Sequence, residues 1–88
     1  MKKWFQGEWA LILGSSSGFG MAAAQALSAR GMNIFGVHFD RRSAMEKINA
    51  EIDAMRRHGV EVEYFNFNAA DEEKRQSTIK AIQKQMGD

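Results

Sequence analysis

Gly14-Ser15-Ser16-Ser17-Gly18-Phe19-Gly20 sets glycines at G-x-x-x-G-x-G spacing, directly after the apolar run Trp9-Ala10-Leu11-Ile12-Leu13 and directly before an alanine-rich stretch. An unbroken apolar run of this length is the pattern of a parallel strand covered on both faces. Ala22, Ala23, Ala24, Ala26 and Leu27 favour a helix from Gly18 to Arg30, and Gly31 sits where a left-handed residue ends such a helix. The order is therefore strand, glycine turn, helix. In that order the first glycine lets the chain turn sharply off the strand, and the later two let backbone approach a phosphate closely. The N–H groups of the helix start then bind the anion. Gly14, Ser16, Ser17, Gly18, Phe19 and Gly20 are accordingly the candidate site for the pyrophosphate of a dinucleotide. Serines in such a loop bond backbone or phosphate and are not read as nucleophiles. A bare serine and glycine turn is common, so the flanking strand and helix carry the assignment. A P-loop is disfavoured because no Gly-Lys-Ser/Thr closes the motif, and a methyl-donor-binding fold is the nearer competitor.

The pattern then repeats. Asn33 to His38 reads as a second strand and about Ser43 to Arg57 as a helix ending at Gly59. Met45, Ile48, Ile52 and Met55 recur at spacings of three and four and form its buried stripe. A third strand runs from Val60 to about Phe67, with Val60, Val62, Tyr64 and Asn66 on one side and Phe65 and Phe67 on the other. Asp71 begins a third helix, where Glu72 and Glu73 complement the dipole and Ile79, Ile82 and Met86 form the inner stripe. Strands alternating with helices require right-handed crossovers. The fold expected is α/β, a Rossmann-like half in the order βαβαβα, with a three-stranded parallel sheet of strand order 3-2-1 and one domain over 1–88.

Composition narrows the function classes. With 12 basic and 11 acidic residues among 88 there is no net field to attract nucleic acid or an anionic membrane. Cysteine is absent, which removes disulfides and thiolate metal sites. No other ligand cluster suggests a metal, since His38 and His58 are separated by a whole helix. Met1-Lys2-Lys3 is followed too soon by Gln6, Gly7 and Glu8 to be a signal segment, and no apolar stretch approaches a membrane span. A cytoplasmic location is expected.

The end of the second strand bears on the choice of nucleotide. Proteins that prefer NAD place an acid about 20 residues beyond the glycines, where it accepts hydrogen bonds from the ribose. Here His38 stands near that position, followed by Phe39-Asp40-Arg41-Arg42. A 2′-phosphate prefers guanidinium partners, so NADP(H) is expected over NAD(H), with Arg41 and Arg42 as candidates and Asp40 as the opposing feature. The alternative is that both arginines are only a solvated helix start.

Ala10 to Gly20 resembles the cofactor loop of the short-chain dehydrogenase/reductase family, typically Thr-Gly-x-x-x-Gly-x-Gly, with Leu13 in place of the threonine and Phe19 in place of the usual isoleucine. His38-Phe39-Asp40-Arg41-Arg42-Ser43 is similar to the second-strand end of NADP-using members, which implies the same cofactor. By the same resemblance Asn68 and Ala69 match the Asp-Val pair that contacts adenine, and Met86-Gly87-Asp88 matches the approach to a fourth strand. The family's catalytic serine, tyrosine and lysine lie further along. Tyr64 has Asn68, not lysine, four residues later, so no catalytic residue is assigned. A cofactor-binding segment of an oxidoreductase, shortened before its catalytic residues and inactive alone, is the reading that follows. The alternative is a self-association module: without a fourth strand the first offers an unpaired edge, and a homodimer through that edge is expected.

Overall fold

The computed structural model describes residues 4–5 and 7–87. Met1 to Lys3 and Gln6, which enter the reading of the N-terminus, and Asp88, which enters the C-terminal resemblance, lie outside them. Elements follow in the order β1 (Trp9–Leu13), α1 (Gly18–Ala29), β2 (Asn33–His38), a 3-10 turn (Arg42–Ala44), α2 (Met45–Arg56), β3 (Val62–Asn66) and α3 (Glu72–Gln85). The strands form one three-stranded parallel sheet ordered β1-β2-β3, which is the expected 3-2-1 arrangement read from the other edge. Leu11 pairs with Phe35 and Ile34 with Val62. Side chains alternate across a strand, so this register puts Ala10, Ile12, Ile34, Val62 and Tyr64 on one face.

That face holds the core. Met21 and Ala24 of α1, Ile48, Ile52 and Met55 of α2, and Ile34 and Val62 of the sheet are buried together, with Ala10, Ile12, Met45 and Tyr64 packed around them. The methionine and isoleucine stripe of α2 thus lies where its spacing put it, Met45 at the rim. The third strand is shorter than expected, since Val60 precedes its first residue and Phe67 follows its last. The ladder nevertheless runs past both ends through hydrogen bonds from Ile34 N to Glu61 O and from Phe67 N to His38 O, each 2.9 Å.

The opposite face departs further from expectation. Phe35 is covered by Trp9, stacked at 4.0 Å between ring centroids, and by Phe65 at 6.3 Å. Leu11 and Leu13, however, are 55% and 72% exposed, so the apolar run of β1 is not covered on both sides. Asp71 caps α3 by accepting from Lys74 N at 3.1 Å, as the sequence suggested. The helix then turns Thr78 inward, while Ile79 and Met86 remain about half exposed. The expected inner stripe of α3 is corrected on this point: α3 stands off the sheet, leaving an apolar groove of about 210 Å³ among Leu11, Leu13, Val37, Phe67, Ile79 and Ile82. Ile79, Ile82 and Met86 keep their helical spacing, but there is too little structure over this face to bury them fully.

Candidate functional site at the glycine turn

The chain leaves β1 at Gly14 with φ 68° and enters α1 at Gly18 with φ 56°. Both values lie in the left-handed region that residues with a Cβ adopt at a cost. A Cβ at either position would meet nothing within 4 Å, so both glycines border open space in front of the helix. Gly20 has a different duty. A Cβ there would fall 2.0 Å from the Gly14 carbonyl oxygen, because the first turn of α1 rides directly on the backbone of the glycine turn. The unpartnered N–H groups that begin any helix are thereby held beside that open space, which suits a phosphate and its approach by backbone.

Several bonds fix the turn to the neighbouring strand. The Val37 carbonyl accepts from Gly14 N at 2.9 Å, from Ser15 N at 3.2 Å and from the Ser15 hydroxyl at 3.3 Å. Ser15 is fully buried, so of the loop serines this one is an inward strut, while Ser16 is half-buried and Ser17 exposed. The Tyr64 hydroxyl, reaching from β3, donates to the Ser15 carbonyl at 3.1 Å.

A cleft of about 600 Å³ opens beside the turn, with Ser16, Ser17 and Gly18 on one wall and Asp40, Ser43 and Lys47 on the other. Asp40 is held from two directions. The Asn66 side chain accepts from Asp40 N at 2.9 Å and donates to Asp40 O at 3.0 Å. The His38 ring nitrogen Nδ1 lies 2.9 Å from Asp40 Oδ2. Hydrogen bonds from Ser16 and His38 hold the Asp40 carboxyl below its ordinary value of 3.8 and keep it ionised. Farther along the cleft Gln25 of α1 donates to Glu51 of α2 and ties the two helices together.

Of the residues expected at the site, the structure gathers Ser16, Ser17 and Gly18 at the cleft, with Gly14 and Gly20 shaping the turn. His38 lies underneath, its side chain 1% exposed, and reaches the cleft only through Asp40. Phe19, Phe39, Arg41 and Arg42 are exposed and stand outside the cleft lining. Asn68 and Ala69 follow β3 on exposed backbone: Asn68 Oδ1 accepts from Ala70 N, and Ala69 borders the apolar groove. Sequence reasoning passed over Ser43 and Lys47. Their spacing of four residues, which places two side chains on one side of a helix, was the available signal. Asn66 and Tyr64 had none, because their roles depend on reaching across neighbouring strands. Among the described residues no group of three metal-ligating side chains converges, and no helix is long and apolar enough to cross a membrane.

Comparison with known proteins follows the same lines. The short chain dehydrogenase family matches residues 8–88. A 2-dehydro-3-deoxy-D-gluconate 5-dehydrogenase of Formosa agariphila is 30% identical over 93% of this chain and 30% of its own length. An NAD+-bound xylitol dehydrogenase superposes with a TM-score of 0.79 at 28% identity, covering 97% of this chain and 31% of that one. The L-sorbose reductase of Gluconobacter frateurii, complexed with NADPH and L-sorbose, superposes at 0.77 with 24% identity over 99% of this chain and 32% of its own. The chain thus spans about a third of the length of these relatives. With its glycine turn, its parallel sheet and a family match over nearly all its residues, the chain belongs to the short-chain dehydrogenase family.

Proposed function

We propose that the chain binds a nicotinamide dinucleotide through the glycine turn and is the cofactor-binding segment of an oxidoreductase. The observation that carries this reading is the turn itself: Gly14 and Gly18 leave the front of α1 open, and Gly20 lets the helix start close onto that opening. The xylitol dehydrogenase neighbour holds NAD+, which supports a dinucleotide at the corresponding surface. When bound, the cofactor supplies hydride chemistry. The residues of this chain bind and orient it, and the loop amides and serines are the groups that would hold the pyrophosphate. No tyrosine and lysine stand four residues apart to move a proton, so the 88-residue chain is expected to bind without turnover.

Within this reading NADP(H) is favoured over NAD(H). An acid that recognises an NAD ribose must offer its oxygens to the two hydroxyls. The Asp40 carboxylate already accepts hydrogen bonds from Ser16 and His38. Lys47 lines the cleft, and the exposed Arg41 and Arg42 directly follow the cleft residue Asp40 in the chain, so cations are at hand for a 2′-phosphate. Calorimetric titration with NADPH and NADH in parallel tests both claims. Saturable binding, tighter for NADPH, is the expected result. Tighter binding of NADH would return Asp40 to the role of ribose acceptor, and no binding of either by a folded chain would sink the cofactor reading.

A second reading rests on the edge of β1. Among the described residues this strand pairs on one side only, with β2, and its exposed Leu11 and Leu13 flank the open edge. Pairing with the edge of a second copy would satisfy those backbone groups. A dimer by light scattering is expected, and a monomer at high concentration would remove this reading.

A further inference from the structure

We propose that Tyr64, on a strand that never touches the cofactor turn in sequence, is a positioning residue for dinucleotide binding that holds the turn through the Ser15 carbonyl. The proposal rests on the cofactor reading above. Its basis is a contact across the sheet. β3 is separated from β1 by β2, yet the Tyr64 hydroxyl donates to Ser15 O at 3.1 Å and comes within 3.9 Å of Met21 Sδ in the first turn of α1.

Gly36 makes that reach possible. It pairs with Tyr64 in the β2–β3 ladder, on the same face, and lies between Tyr64 and the turn. A Cβ at Gly36 would stand 2.5 Å from Tyr64 Cε1 and 2.6 Å from Ser15 Oγ. The phenol ring therefore lies across the bare backbone of β2, in the space where any other residue would place its side chain. On the near side of this gap the Ser15 hydroxyl bonds to Val37 O, so Ser15 is gripped by both its hydroxyl and its carbonyl. Ser16, Ser17 and Gly18, which line the cleft, follow directly. Fixing the carbonyl of Ser15 fixes the orientation of the peptide that enters Ser16. Preorganised donors bind an anion more tightly than donors that must be ordered on binding.

Burial raises the Tyr64 hydroxyl above its ordinary value of 10.0, with Glu51 adding to the shift. The group therefore stays a donor through the neutral range. His38, which braces Asp40 on the opposite wall, lies against the same ring at 5.5 Å between centroids. One tyrosine thus touches supports of both walls of the cleft.

The test compares wild type with Tyr64→Phe and, separately, Gly36→Ala, in the full chain. Phenylalanine keeps the ring and removes the bond to Ser15, whereas alanine keeps the hydroxyl but presses on the ring and on the Ser15 hydroxyl. Affinity for NADPH and NADH is read by calorimetry, melting temperature by circular dichroism, and the state of the turn by amide chemical shifts of labelled protein. Tyr64→Phe is expected to melt near wild type and bind the preferred dinucleotide about tenfold more weakly. Its shift changes should centre on Ser15 to Gly18, and Gly36→Ala should weaken binding in the same direction. Wild-type affinity in Tyr64→Phe would overturn the proposal. So would shift changes spread evenly over β3 and α2 with a matching loss of melting temperature, which would make Tyr64 a core residue and nothing more. If the folded wild type binds neither dinucleotide, the cofactor reading fails first and the proposal falls with it.

Discussion

The glycines of the turn share a motif but not a physical role, and single substitutions separate them. Adding a methyl at Gly20 drives it against the backbone of Gly14, which has no rotamer by which to yield. Overpacking of this kind costs about 1–3 kcal/mol, more than the roughly 1 kcal/mol a helix gains from replacing glycine by alanine. Gly20→Ala is therefore expected to lower the melting temperature by several degrees. Gly18→Val adds bulk where nothing of the protein lies within 4 Å. It should remain folded, at a backbone cost of about 1–2 kcal/mol for its left-handed φ, and lose dinucleotide binding. Equal binding by wild type and Gly18→Val would show that the opening is not used. Asp40 offers a second separation, by pH. Its folded value is depressed by Ser16 and His38, so its contribution to stability is complete above the ordinary carboxylate value and is lost as pH falls from 3.8 through the lower folded value. Asp40→Asn should melt below wild type at neutral pH, and the gap should close in melts taken progressively below pH 3.8. A gap independent of pH would mean that the carboxylate charge is not what Asp40 contributes.

At the scale of elements, α2 and α3 show how far a hydrophobic stripe can be trusted. Both carry isoleucine and methionine at helical spacing. In α2 the stripe meets a complementary face made by α1 and the sheet, and Ile48, Ile52 and Met55 are buried. Across the sheet from that core, α3 has no second helix beside it among the described residues, and its stripe stays half open. Ile52→Ala should cost about 2–5 kcal/mol, whereas Ile79→Ala, at 48% exposure, should cost no more than about 1 kcal/mol, since only part of its area left water. Chemical denaturation of the two variants checks the contrast, and comparable losses would mean that α3 packs more tightly than its exposure indicates. The order of elements, the sheet and the glycine turn were legible because each follows from local chemistry: an apolar run, a turn that needs glycine, a helix that needs small residues. Tyr64 and Asn66 were not legible as residues that support the candidate site. Tyr64 and Asn66 act across a strand boundary onto Ser15 and Asp40, and that pairing depends on register, which a single sequence does not display. His38 ends β2 on the core-facing side that also carries Ile34 and Gly36, so its side chain is buried, whereas Asp40, beyond the strand end, lines the cleft.

For the molecule as a whole, α1 and α2 cover one face of the sheet, whereas α3 stands off the other, and that face and the β1 edge are left with exposed apolar groups. Leu11 and Leu13 lie on both the open edge strand and the open face, exposed at 55% and 72%. Pairing along β1 between two copies would extend the sheet and bring these leucines of both copies together, adding hydrophobic burial to the backbone bonds. The glycine turn leaves β1 at its C-terminal end, and its opening faces α2, not the free edge. The proposed assembly edge and the proposed nucleotide site are therefore different surfaces. Leu13→Lys should then reduce the dimer to monomer, because a charged residue on an edge strand opposes pairing. Its melting temperature should change little at low concentration, since the wild-type side chain is already mostly in water. Light scattering over a concentration series, with a nucleotide titration on the same samples, reads both properties. Loss of the dimer with binding intact is the expected outcome. Loss of both together would show that the nucleotide site is completed across the interface, and an undisturbed dimer would place the contact elsewhere on the sheet.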